Sequence, residues 1–120
     1  YSSAASDVYK RQIKVILNAY KPLGTGIHLY YKVKHKDDPQ DFDEKSYVLM
    51  NQETVSSRYS SSEEDIKEFT FKTSSDEITY TSDNVLYENF KSFAVKVCLT
   101  SNNAALIPKV KDMRAIALDT

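Results

Sequence analysis

Glycine and cysteine are nearly missing from this chain. Its 120 residues include two glycines, one cysteine, three prolines and no tryptophan. Two glycines are too few for a glycine-rich phosphate cradle. The lone Cys98 cannot form an internal disulfide, so a packed core has to supply the stability, and the cysteine usage points to a reducing compartment rather than secretion. No run approaches the roughly 20 apolar residues of a membrane span. Charge of one sign is missing too. Sixteen basic side chains stand against 17 acidic ones, a net charge of −1, which argues against a nucleic-acid or membrane surface. The spacings of metal and nucleophile chemistry are also absent. His28 and His35 are seven residues apart on one strand, so they fall on opposite faces, and no HxH, HExxH or Cys–His spacing occurs. No neighbouring base is marked for Cys98. The residues therefore offer no catalytic group and no cofactor site, and the chain reads as a non-enzyme.

What is present is period-2 alternation, the signature of half-buried strands. In IKVILNAY, Ile13, Val15, Leu17 and Ala19 share one face, and Ile16 and Tyr20 make the other partly apolar. A turn at Pro22, Gly24 and Gly26 leads into IHLYYKVKH, which puts Ile27, Leu29, Tyr31 and Val33 inward. Further strands are expected around Tyr47–Met50, in IKEFTFKT with Phe69 and Phe71 together, in EITYT, and in FKSFAVKVCLTS with Phe93, Val95, Val97 and Leu99 together. In KVKDMRAIALD the inward set is read as Val110, Ile116 and Leu118, with Met113 breaking the alternation at a bulge. Ser62 and Asp65 fit a weak capping pattern for a helical turn over 63–67. The expected fold is all-β: an antiparallel β-sandwich, jelly-roll-like, of about seven or eight strands, forming a single domain over 13–120.

Two groups of side chains are candidate sites. The loop after the second strand carries Asp37, Asp38, Asp41, Asp43 and Glu44. Calcium takes several oxygens from such a bent acidic loop, so the four aspartates are calcium candidates, although the glycine and final glutamate of an EF-hand are missing and a solvated turn is the default. Tyr30, Tyr59, Tyr80 and Tyr87 are candidates for an exposed aromatic platform that would bind a glycan or a protein partner.

The opening stretch stands apart. SSAASDVYKRQ, residues 2–12, is small, polar and aperiodic. It resembles the in-frame translation of a transposase adapter used in sequencing libraries, so residues 1–12 are expected to be non-native and unstructured. On that reading the natural chain starts near Ile13 and is a fragment of a longer protein.

Beyond it, AYKPLGTGIHLYYKVKHKDDPQDFDEKSYVLM carries an apolar strand, a Pro/Gly-Thr turn, a "YYKV" strand, an Asp-rich loop around Phe42 and a "YVLM" strand. FKSFAVKVCLTSNNAALIPKVKDMRAIALD closes the pattern. Together these resemble virion structural proteins, tail or baseplate components, of contractile-tailed, marine-type bacteriophages. The resemblance implies a jelly-roll-like module and a tight turn at Gly24–Thr25–Gly26. It also implies a strand stop at Pro108, a buried Phe42, and an Arg114 paired with Asp112 or with an acid across the sheet. It implies other virion proteins as partners, including copies of the chain itself, no nucleic acid and no membrane. The location would be the virion, assembled in the host cytoplasm. A carbohydrate-binding sandwich is the alternative.

Overall fold

The computed structural model describes residues 2–3, 10–53, 59–73, 78–102 and 105–118. Its strands, in chain order, are β1 (Ser2–Ser3), β2 (Gln12–Tyr20), β3 (Thr25–Lys34), β4 (Val48–Leu49), β5 (Asn51–Gln52), β6 (Lys67–Lys72), β7 (Tyr80–Ser82), β8 (Val85–Tyr87), β9 (Ser92–Ser101) and β10 (Lys109–Leu118). They form one four-stranded sheet in the order β1-β9-β3-β4, a second in the order β10-β2-β6-β5, and a separate hairpin of β7 and β8. All pairings are antiparallel.

Alternation builds the core. Ile13, Val15, Leu17 and Ala19 of β2 are fully buried, and Phe69 and Phe71 lie beside them on β6. From the other sheet, Ile27, Leu29, Tyr31 and Val33 meet Phe93 and Val95. These side chains form one apolar cluster between the sheets, which is the sandwich arrangement. The expected inward faces of β2, β3 and β6 are therefore those observed.

The strand expected at Tyr47–Met50 is two short pieces. β4 pairs with β3 in the first sheet and β5 with β6 in the second. Between them Met50 is buried, and its N–H donates to the Leu29 carbonyl at 2.8 Å. The chain thus passes from one sheet to the other and closes that side of the sandwich. Two further crossings lie at the end of the sandwich where β2 leads to β3 and β9 to β10. They are tied together by Asn102 N–H donating to the Gly24 carbonyl at 3.1 Å. The turn spans Pro22 to Thr25, with Gly24 at φ 86° in the position that a type II turn reserves for glycine. Gly26 belongs to β3 instead.

Several expectations are corrected. In β10 Val110, opposite the buried Ala19, lies on the inward face as expected, though 36% exposed, but beyond it the inward set is Met113, Ala115 and Ala117, and Ile116 and Leu118 face outwards. The bulge lies between Val110 and Asp112, not at Met113. One extra residue there flips every later side chain to the other face. Residues 61–65 form a turn in which Ser61 N–H and Oγ donate to Asp65 Oδ2 at 2.8 and 3.1 Å, and no helix forms. Pro108 sits before β10 rather than at the end of β9. Arg114 is opposite Ile16 and makes no ion pair among the described residues. Phe42, in a short 3-10 turn at Phe42–Glu44, is half-buried.

The opening segment also departs from the unstructured expectation. Ser2–Ser3 pair with Ala94 and Phe93, Lys10 bridges Phe90, and Gln12 begins β2. These are backbone contacts, which need no particular side chain. Residues 4–9 lie outside the described set.

The hairpin of β7 and β8 turns at Asp83 and Asn84, both at positive φ, 51° and 65°. Two positive φ values are the mark of a type I′ turn. Replacing Asn84 with valine is expected to cost about 1–2 kcal/mol, because a β-branched side chain resists this conformation. Replacement with glycine should be neutral or stabilising. Urea unfolding of the two variants checks the contrast.

Candidate functional site

The acidic loop is fastened to the hairpin through one buried carboxylate. The Asp38 side chain is 0% exposed and the Lys45 side chain 8%. Lys45 Nζ donates to Asp38 Oδ2. Tyr80 OH donates to the same oxygen at 2.8 Å, and Ser82 Oγ to Oδ1 at 2.7 Å. Gln40 N–H completes the set at 2.9 Å. Burial by itself would raise the Asp38 pKa. The hydrogen bonds from Lys45, Gln40, Ser82 and Tyr80 overcome it and hold the carboxyl well below the usual carboxylate range. Burial pushes the Tyr80 hydroxyl above its ordinary value, and its bond to Asp38 adds to the rise against the opposing bond from the His35 N–H.

Aromatic rings surround this node. The Tyr80 and Tyr87 centroids are 5.3 Å apart, and His35 is 4.8 Å from Tyr87. Tyr87 OH donates to the Asp37 carbonyl at 3.1 Å, and His35 N–H donates to Tyr80 Oη at 2.6 Å. Asp37 N–H donates to His35 Nδ1 at 3.0 Å. These bonds tie the acidic loop to the hairpin, so the node acts as a latch.

The calcium candidates do not gather. Asp38 is spent on Lys45 and the hydroxyls, while Asp37, Asp41 and Asp43 are exposed. Among the described residues no group of three or more His, Cys, Asp or Glu side chains is placed to hold a metal. The four tyrosines do not form one platform either. Tyr80 and Tyr87 belong to the latch. Tyr30 lies on the outer face of β3, with Lys96 Nζ 5.3 Å from its ring. That lysine and the buried Lys32 also flank Tyr47, at 4.8 and 5.0 Å, and Lys32 Nζ donates to the Phe42 carbonyl at 3.0 Å. Tyr59 lies apart from the other three, against Lys21. Cys98 is half-buried opposite His28, and no hydrogen bond joins the two.

Two hollows remain. One, about 520 Å³, lies over the β2–β3 turn and is lined by Lys21, His28, Gln52, Tyr59, Thr100 and Asn102, among others. Glycine makes it possible. A Cβ on Gly26 would come within 2.6 Å of Thr100 Oγ1 and 3.0 Å of His28 Nε2. Lys21 Nζ lies 4.6 Å from the Tyr59 ring centroid, and burial lowers its pKa. The second hollow, about 410 Å³, is mostly apolar and runs along the side away from Met50, lined by Tyr47, Val95, Lys96, Val97, Leu99, Val110 and Met113. Sequence reasoning missed both, because each is assembled from residues far apart in the chain.

No family model, curated protein or solved structure matches this chain.

Proposed function

We propose that the chain is a non-enzymatic structural and interaction module of a contractile-tailed phage virion, a tail or baseplate component. The resemblance in AYKPLGTG…YVLM and FKSFAVKV…AIALD supports this reading, and the jelly-roll-like connectivity belongs to it. The observation that carries it is the uncovered apolar side of the sandwich at Val97, Leu99, Val110 and Met113. An uncovered apolar strip of this kind marks a docking surface. Docking, rather than chemistry, is also what a chain with one inward-turned carboxylate latch is suited to. Long-read recovery of the uninterrupted gene neighbourhood tests the reading. Genes for sheath, tube and baseplate proteins are expected; a glycoside hydrolase pathway overturns it.

A carbohydrate-binding module is the second reading, favoured by the 520 Å³ hollow with its hydrogen-bonding lining and Tyr59. Sugar rings stack on such aromatic faces while polar groups read the hydroxyls. On this reading, Tyr59→Ala abolishes signal on a glycan array and Tyr30→Ala leaves it unchanged. An array that stays blank with the native chain rules the reading out.

A further inference from the structure

One of the two glycines stands where the backbone does not call for it. Gly26 lies inside β3, opposite Thr100 of β9, and its φ is not positive. Glycine inside a strand costs stability, and it often marks a place where a ligand comes close to the backbone. Residues i and i+2 of a strand share a face, and so do cross-strand partners. Gly26, His28 and Thr100 therefore lie together on the outer face of the first sheet. Thr100 Oγ1 and His28 Nε2 both lean over the glycine, 2.6 and 3.0 Å from where its Cβ would stand. Asn102 Oδ1 stands in the same relation to Gly24, at 2.5 Å. Three polar atoms thus border a floor of bare backbone. Their side chains have no hydrogen-bond partner among the described residues.

The other rim comes from the second sheet. Lys21 follows β2; its N–H donates to Ser60 Oγ at 3.0 Å, and its carbonyl accepts from Ser60 N–H at 2.7 Å. This exchange holds the neighbouring Tyr59 against the Lys21 ammonium, which is 4.6 Å from the ring centroid. Among the described residues no aspartate or glutamate lines the hollow, although the chain has 17. A cation, an aromatic wall and unpartnered hydroxyl, amide and imidazole groups converge on about 520 Å³. That volume is within the range of small-molecule sites.

We infer that this hollow binds a saccharide bearing a carboxylate, with Thr100, His28 and Asn102 reading its hydroxyls and the acid on the Lys21 side. The inference rests on the carbohydrate-binding reading above and narrows it to acidic sugars. Sugar hydroxyls donate and accept, and the hydroxyl, amide and imidazole here can do both in return. A bare anion would make no use of Tyr59, and a neutral sugar none of the cation. Burial lowers the Lys21 pKa, the direction for an ammonium whose surroundings disfavour its charge. A carboxylate arriving beside it favours that charge. The absence of lining acids removes the repulsion that would otherwise turn such a ligand away.

Glucuronate and glucose differ in one carboxylate and make the test. In nuclear magnetic resonance titrations of the full 120-residue chain, glucuronate is expected to shift the amide signals of Gly24, Gly26, His28 and Thr100 saturably. Glucose should bind about tenfold more weakly, the worth of one contact to a charged group. Gly26→Ala is the most telling variant. Its Cβ fills the floor and displaces only side-chain ends, so urea unfolding should show stability kept or raised. Glucuronate binding should nevertheless fall about tenfold as Thr100 and His28 are pushed aside. Lys21→Met keeps the length without the charge and should bring glucuronate down to the affinity of glucose. If that variant fails to fold, added sodium chloride serves instead, weakening glucuronate binding and sparing glucose. Equal affinity for the two sugars overturns the acidic-sugar inference and leaves the carbohydrate reading standing. Shifts as large with sodium acetate overturn it as a bare anion site, and so does a Gly26→Ala chain that binds like the native one. No response to either sugar overturns it as well, and the glycan array then decides the wider reading.

Discussion

Asp38→Ala is expected to lower the unfolding free energy by about 3–5 kcal/mol, the usual cost of removing one partner from a buried ion pair. The loss exceeds that of an ordinary surface acid because three groups aim at this carboxylate besides the Gln40 amide. Lys45, nearly buried, would be left without its counter-charge. The Tyr80 and Ser82 hydroxyls, which reach in from the hairpin, would lose their acceptor. Asp38→Asn should cost less, since the amide oxygen still accepts, although the charge is gone. Urea unfolding separates the two: the midpoint falls further for Asp38→Ala, and an unchanged slope shows that the native fold is retained. Equal midpoints for Asp38→Ala and the native chain would remove the latch as a source of stability.

The latch also sets a pH window. Asp38 binds its proton less tightly in the folded chain than in the unfolded one. Its contribution is therefore complete above the unfolded aspartate value of about 3.9 and is lost as pH falls towards the lower folded value. Tyr80 has the opposite sign. Its folded pKa is raised, so its contribution is complete below about 10 and is lost as pH climbs towards the higher folded value. The stability of the native chain should fall at both ends. Asp38→Asn should flatten the acid limb.

The layers of the sandwich were legible in the sequence because burial repeats every second residue. Ile13 to Ala19, Ile27 to Val33 and the Phe69–Phe71 pair stand where alternation places them. Legibility ended where one residue changes the phase. The extra residue between Val110 and Asp112 left Val110 inward but turned Ile116 and Leu118 outwards, and the apolar Ile116 gave the wrong cue. The hairpin at Asp83 and Asn84 had a signal in YTSDNVLY, with two tyrosines ending up opposite each other. The Asp-Asn pair between alternating runs is a recognised turn signature. Asp38 could not be singled out from its four acidic neighbours. What separates it is Lys45, Tyr80 and Ser82, and no local pattern connects those positions. The uncovered apolar side was equally hidden, since it depends on which strands become neighbours.

Phe69→Ala should produce the second large loss, about 3–5 kcal/mol, the range for removing a buried phenylalanine. Phe69 is 1% exposed and pairs with Leu17 in the middle of the second sheet. Its ring also lies beneath Lys21, whose Nζ is 5.5 Å from the centroid. Truncation therefore removes apolar contacts from the core and at the same time strips one wall from a lysine already disfavoured by burial. Neighbours on a β-sheet cannot collapse freely into the gap, because the ladders on both sides of β6 hold the backbone in place. Phe69→Leu, which keeps most of the volume, is expected to recover more than half of the loss. A substitution at the exposed Leu23, by contrast, should leave stability within about 0.5 kcal/mol. If Phe69→Ala unfolds at the same urea concentration as Leu23→Ala, the two sheets do not share the core described above.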